Sequence, residues 1–256
     1  MMTIGVFDSG IGGVTVLTAL RKRFPGVDFI YLGDTANVPY GAKSPSQIKI
    51  LAASAVACFA GRNLDALVVA CNTASSLALD EIKAALPAVP VFGVVEAGVK
   101  ATLEAYGAHA DVPTVLILAT RATARSGIYS RLLGKHLAAG TQVMEQACPL
   151  LVPIIEEGLI DHPILHQTIQ EYVRQYATAD CTGIALLACT HYPWIRKAFE
   201  LALPRWQIVD SATAVADLLE GALPRLAVLA GNARKTEWIF TDPDVVPKFV
   251  FDTDQT

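Results

Sequence analysis

Cys71 and Cys189 occupy matching settings in a chain of 256 residues. Each closes an apolar run, Ala66-Leu67-Val68-Val69-Ala70 in one case and Ile184-Ala185-Leu186-Leu187-Ala188 in the other. Asn72-Thr73 and Thr190-His191 follow, and then a helical pattern begins. A single cysteine at a strand end reads as a small buried hydrophobe. Two in equivalent contexts, one from each half of the chain, are placed to face one small substrate from opposite sides. That arrangement suits taking a proton from one face of a carbon and returning one to the other. Each thiol is expected near a helix N-terminus, whose N–H groups favour thiolate. Asn72, Thr73 and Thr190, with those N–H groups, are suited to hold a carboxylate.

Two other chemistries compete for the same residues. Cys71, Cys189, His191 and Asp8 would make a zinc ligand set. The Cys-x-His spacing is unusual for zinc, and no Cys-x-x-Cys pair supports it, so no metal is expected. A cysteine-dependent hydrolase would pair Cys71 with His191.

Further polar groups cluster after other strand-like runs. Asp8-Ser9-Gly10-Ile11-Gly12-Gly13 makes a tight glycine turn. It lacks the Gly-x-Gly-x-x-Gly and Gly-Lys-Ser/Thr spacings of nucleotide loops. Asp8 would repel a phosphate and suits an ammonium group, or it caps a helix. The polar loop Tyr31–Gly41 follows a second strand, where ligands bind in open α/β sheets. Its Tyr40 reads equally as a pocket wall or a half-exposed loop aromatic. Thr120 and Thr123 begin a helix and can cap it or bind an anion. Cys148-Pro149 leads through a turn-rich, proline-bracketed segment to Glu156, a residue type that usually faces water. Cys58 and Cys181 read as structural.

These groups must be positioned by short apolar strands alternating with helices, which signals an α/β architecture with mostly parallel sheets. Expected strands are 4–7, 29–32, 66–70, 91–94, 115–118, 143–145, 184–188 and 207–209. Expected helices are 14–23, 45–60, 73–84, 97–105, 122–137, 163–177, 193–201 and 212–220. Similar offsets lead from strand 4–7 to Cys71 and from strand 115–118 to Cys189, a weak internal duplication. Residues 1–96 plus 207–256 are expected to form one α/β unit and 97–206 a second.

Composition limits the partners. The chain is 53% hydrophobic and 17% charged, with a formal charge of −4, which argues against a nucleic-acid surface. No basic leader and no apolar run of membrane-spanning length stand out, so a soluble cytoplasmic protein without membrane association is expected. Five cysteines, an odd number, point to free thiols.

Taken in order, the motifs resemble glutamate racemase, a cofactor-independent member of the aspartate/glutamate racemase superfamily. The resemblance rests on Gly5-Val6-Phe7-Asp8-Ser9-Gly10-Ile11-Gly12-Gly13, Gly33-Asp34-Thr35 with Pro39-Tyr40-Gly41, Ala70-Cys71-Asn72-Thr73-Ala74-Ser75, Thr120 with Thr123, Cys148-Pro149 leading to Glu156, and Ala188-Cys189-Thr190-His191-Tyr192-Pro193. It implies two pseudo-symmetric α/β domains with the active site in the cleft between them. It implies Cys71 and Cys189 as acid/base thiols, Cys71 working on the D-isomer and Cys189 on the L-isomer. Asp8, Glu156 and His191 would assist proton movement. Asp8, Ser9, Pro39, Tyr40, Gly41, Asn72, Thr73, Thr120, Thr123, Thr190 and His191 would bind glutamate. No cofactor, a homodimer and a role for D-glutamate in peptidoglycan are further implications. Glu96-Ala97-Gly98 and Ala119 depart from the family's usual Glu-Pro-Gly and glycine. An aspartate or hydantoin racemase of the same superfamily is the nearest alternative. The chain shows no long N-terminal extension, so regulation by a cell-wall precursor is not expected.

Overall fold

The structure is a computed structural model that describes residues 2–108, 114–178, 181–226 and 235–244. Its strands are β1 (Thr3–Asp8), β2 (Asp28–Gly33), β3 (Ala66–Val69), β4 (Val91–Gly93), β5 (Thr114–Ala119), β6 (Gln142–Ala147), β7 (Gly183–Ala188), β8 (Trp206–Asp210) and β9 (Thr236–Phe240). All neighbouring strands pair in parallel. They form one sheet in the order β4-β3-β1-β2-β9 and another in the order β6-β5-β7-β8. Read from its β8 edge, the second sheet runs β8-β7-β5-β6, which matches β4-β3-β1-β2 of the first. The strands ahead of the two cysteines, β3 and β7, therefore hold the same place in each sheet.

The helices are α1 (Val14–Arg23), α2 (Pro45–Val56), α3 (Asn72–Leu77), α4 (Leu79–Ala85), α5 (Val94–Gly107), α6 (Arg121–Ser126), α7 (Ile128–Leu133), α8 (Leu151–Glu156), α9 (Pro163–Val173), α10 (Arg196–Ala202) and α11 (Ser211–Ala222). Parallel strands need crossovers, and the helices supply them while covering both faces of each sheet. The alternation of side chains shows this in the first sheet. Val6 and Val68 join the core on one face, and Phe7 and Val69 join the core on the other. Strands buried on both sides must be apolar throughout, which is why their sequences stand out. Helix α5 is shared: Val94 and Ala97 pack into the first unit's core and Val95 into the second's.

All eight expected strands are present, and β9 is an addition. Its Thr-Glu-Trp-Ile-Phe sequence is only half-buried on the edge beside β2, so it lacks a continuous apolar signal. Residues 207–210 depart from the expected division. They lie in β8, which pairs with β7 from Gly183↔Trp206 to Leu187↔Asp210. A strand that follows its neighbour through one helix returns to the same sheet. The chain then returns to the first sheet at β9; residues 245–256 lie outside the described residues.

The expected helices 73–84 and 122–137 are each divided into two α-helices. Gly127, at φ +61°, separates α6 from α7, and Ala78 separates α3 from α4. Conversely, the segment before Glu156 is helical rather than turn-rich. Pro153 is the third residue of α8, where a missing N–H removes no intrahelical bond. Among the described residues, no helix is long and apolar enough to cross a membrane.

Candidate active site

The carboxyl ends of β1 and β3 face those of β5 and β7 across a cleft. Ser9, Pro39, Tyr40, Gly41, Cys71, Asn72, Thr73, Thr120, Cys189, Thr190, His191 and Glu156 all line it. Asp8 and Thr123, both 0% exposed, stand behind that lining. The candidates drawn from the sequence thus converge on one place.

Cys71 caps α3, its Sγ accepting the Ala74 N–H at 3.4 Å, and Ser9 Oγ lies 3.3 Å from the same sulfur. On the other side, Cys189 Sγ lies 4.0 Å from His191 Nδ1. The far nitrogen of that ring, Nε2, is 2.9 Å from Glu156 Oε1. Glu156 therefore meets His191 rather than only solvent. The histidine stands beside Cys189 and the serine beside Cys71, which differs from the Cys71–His191 pair a hydrolase would use.

Burial decides the protonation of both sulfurs. It pushes the Cys71 thiol up to about 11, with the Asp8 charge adding to the rise and Ser9 and Ala74 opposing it. It pushes Cys189 well above the ordinary thiol range too, against the His191 backbone N–H, with Cys71, Asp8 and Glu156 raising it further. Burial thus outweighs the helix N–H groups that were expected to favour thiolate. Helix α3 is only six residues long, and Cys189 leads into a 3₁₀ turn, Tyr192–Ile195, rather than an α-helix. A few N–H groups do not offset loss of water around a charge.

Asp8 is held by the glycine turn. Its Oδ1 accepts the Gly10 N–H at 2.9 Å and its Oδ2 accepts the Thr190 hydroxyl at 3.2 Å. Burial raises its pKa, with His191 and these hydrogen bonds pulling the other way. Two glycines are required by contact. A Cβ on Gly13 would sit 2.6 Å from Asp8 Cβ, and one on Gly12 would sit 2.4 Å from both His191 Nδ1 and Thr190 Oγ1. Gly12 lets the first unit's turn touch Thr190 and His191, which follow β7 in the second unit. Thr15 adds to that seam, its hydroxyl lying 3.0 Å from the Thr190 carbonyl.

A cluster of threonine hydroxyls joins the units on the opposite wall. Thr73 Oγ1 lies 2.9 Å from Thr120 Oγ1 and 3.2 Å from Thr123 Oγ1, and Thr120 caps α6. Tyr40 is 1% exposed, and its hydroxyl donates to Asp34 Oδ2 at 2.6 Å. It is a buried pocket wall rather than a half-exposed loop residue. Cys58, by contrast, is exposed and not part of the core. Among the described residues, no group of three or more His, Cys, Asp or Glu side chains is arranged to hold a metal ion.

With this geometry in place, residues 14–219 match the Asp/Glu/Hydantoin racemase family. The chain belongs to that family. It is accordingly an enzyme of the isomerase class. It is 41% identical to the glutamate racemase of Aquifex aeolicus over 219 residues, 86% of this chain and 82% of that one. Among solved structures, the glutamate racemase of Thermus thermophilus in complex with beta-chloro-D-alanine superposes with TM-score 0.78 at 39% identity, covering 95% of this chain and 89% of that one. The Francisella tularensis glutamate racemase in complex with D-glutamate superposes with TM-score 0.80 at 32% identity, covering 93% and 87%.

Sequence reasoning missed two buried tyrosines of this racemase fold. Tyr31 donates to the Gly10 carbonyl at 2.9 Å and so braces the Asp8 turn. Tyr129 donates to Asn72 Oδ1. Both lie inside regular elements, where nothing local separates them from ordinary core aromatics.

Proposed function

We propose that this chain is a glutamate racemase that interconverts L- and D-glutamate by proton transfer between Cys71 and Cys189. One observation carries the reading: two buried thiols end topologically equivalent strands and line one cleft. The named relatives support glutamate as the substrate.

In the D-to-L direction, Cys71 as thiolate removes the α-proton, forming an S–H bond. The C–H electron pair passes into the α-carboxylate. Cys189 gives its proton to the opposite face of Cα and is left as thiolate. The L-to-D direction runs the same steps with the sulfurs exchanged. Asn72, Thr73, Thr190 and neighbouring N–H groups hold the substrate carboxylates, and water exclusion strengthens those bonds. Asp8 beside the substrate ammonium, and His191 with Glu156 behind Cys189, restore the protonation state between turnovers. The substrate ammonium offsets burial's bias against charge and so favours the thiolate, the thiol's proton leaving to solvent before the lobes close. The two sheet units act as lobes that close over the substrate.

The resemblance further supports a cytoplasmic homodimer supplying D-glutamate to peptidoglycan, and light scattering of the purified protein tests the dimer. Catalysis is tested by chiral chromatography of protein incubated with L-glutamate and no added cofactor. D-glutamate should form, carrying deuterium at Cα when the reaction runs in D₂O. Cys71→Ala and Cys189→Ala should each abolish turnover. Substantial activity in either variant would refute the two-thiol scheme, and turnover of aspartate alone would move the substrate assignment to the nearest alternative.

A further inference from the structure

Tyr129 lies on α7 in the second unit and is 0% exposed. Its hydroxyl reaches Asn72 Oδ1, in the first unit, at 2.5 Å. That separation belongs to O–H···O contacts and is shorter than the usual N–H···O range. The amide oxygen of Asn72 therefore faces the tyrosine, and the amide nitrogen faces away. Asn72 is 2% exposed and lines the cleft, yet its Nδ2 has no hydrogen-bond partner. Buried amide N–H groups are seldom left unpaired. Among the described residues, it is the only buried, unpartnered side-chain polar atom on a residue of the cleft lining.

We propose that Tyr129 is a positioning residue that fixes the Asn72 amide so that its Nδ2 donates to a carboxylate oxygen of the bound substrate. The inference rests on the reading of this cleft as a glutamate site. It assigns to a residue outside the lining the task of orienting a group within it. The bond also spans the two units, so the grip is formed only when they are together.

Tyr129→Phe removes the hydroxyl and keeps the ring. The bond to the carboxylate is already made in the bound ground state, so KM should take most of the loss. KM for both glutamate enantiomers should rise about tenfold with kcat changed less than about threefold, a size typical of one lost hydrogen bond. Asn72→Ala should raise KM by at least as much, and adding Tyr129→Phe to it should change KM less than about twofold. A second route to the same hydroxyl is Gly98→Ala, whose Cβ would stand 3.1 Å from Tyr129 Oη. It should raise KM severalfold, again only when Asn72 is present, and it tests the same contact if Tyr129→Phe does not fold.

An unchanged KM in Tyr129→Phe, or a rise that persists in the Asn72→Ala background, overturns the inference while leaving the racemase reading intact. A normal KM in Asn72→Ala removes Asn72 from the substrate contacts and Tyr129 with it. A wild-type protein that does not turn over glutamate removes the reading on which both depend.

Discussion

Alkylation of Cys71 in the empty enzyme offers a direct test of how burial sets its chemistry. With its thiol at about 11, roughly 0.1% is thiolate at pH 8, whereas a free cysteine near 8.5 is roughly a quarter ionised. Only the thiolate attacks iodoacetamide. The rate at Cys71 should therefore climb about tenfold per pH unit from pH 8 to pH 10 and level off near 11. Limited access to the cleft lowers the absolute rate without changing the shape of that profile. Peptide mass spectrometry separates Cys71 from exposed Cys58 in the same sample. A rate that levels off below pH 9 would show that Ser9 and the Ala74 N–H outweigh desolvation, and the protonation argument would fail.

The same displacement predicts alkaline instability. A thiol whose folded pKa lies above its unfolded value stabilises the fold below the unfolded value and loses that contribution as pH rises through the folded one. For Cys71 the window runs from about 9 to about 11 and amounts to roughly 2–3 kcal/mol. Urea midpoints should fall across it, and less steeply in Cys71→Ser. Gly12→Ala places a Cβ against His191 and Thr190; kcat/KM should drop at least about tenfold, measured by circular dichroism of glutamate turnover. Tyr40→Phe removes the O–H donor from Asp34, which also accepts from Asn37 and Thr241. It should destabilise the protein by about 1–2 kcal/mol in urea titration, and no change would deny that contact a structural role.

What the chain carried on its face was the scaffold and the end points of its strands. Strands covered on both sides must be largely apolar, so β3, β5 and β7 are visible as Val, Ile, Leu and Ala runs, and the polar groups that stop them mark the cleft. The glycine turn at Asp8 and the paired contexts of Cys71 and Cys189 are legible for the same reason. The edge strand β9, the break at Gly127 and the return of residues 207–210 to the second sheet were not, because each depends on partners distant in sequence. Tertiary structure alone decided that Glu156 meets His191, that Tyr129 donates to Asn72, and that burial raises both thiols. Local sequence specifies residue type and period, whereas pKa and hydrogen-bond partner depend on how completely two separate units exclude water from the space between them.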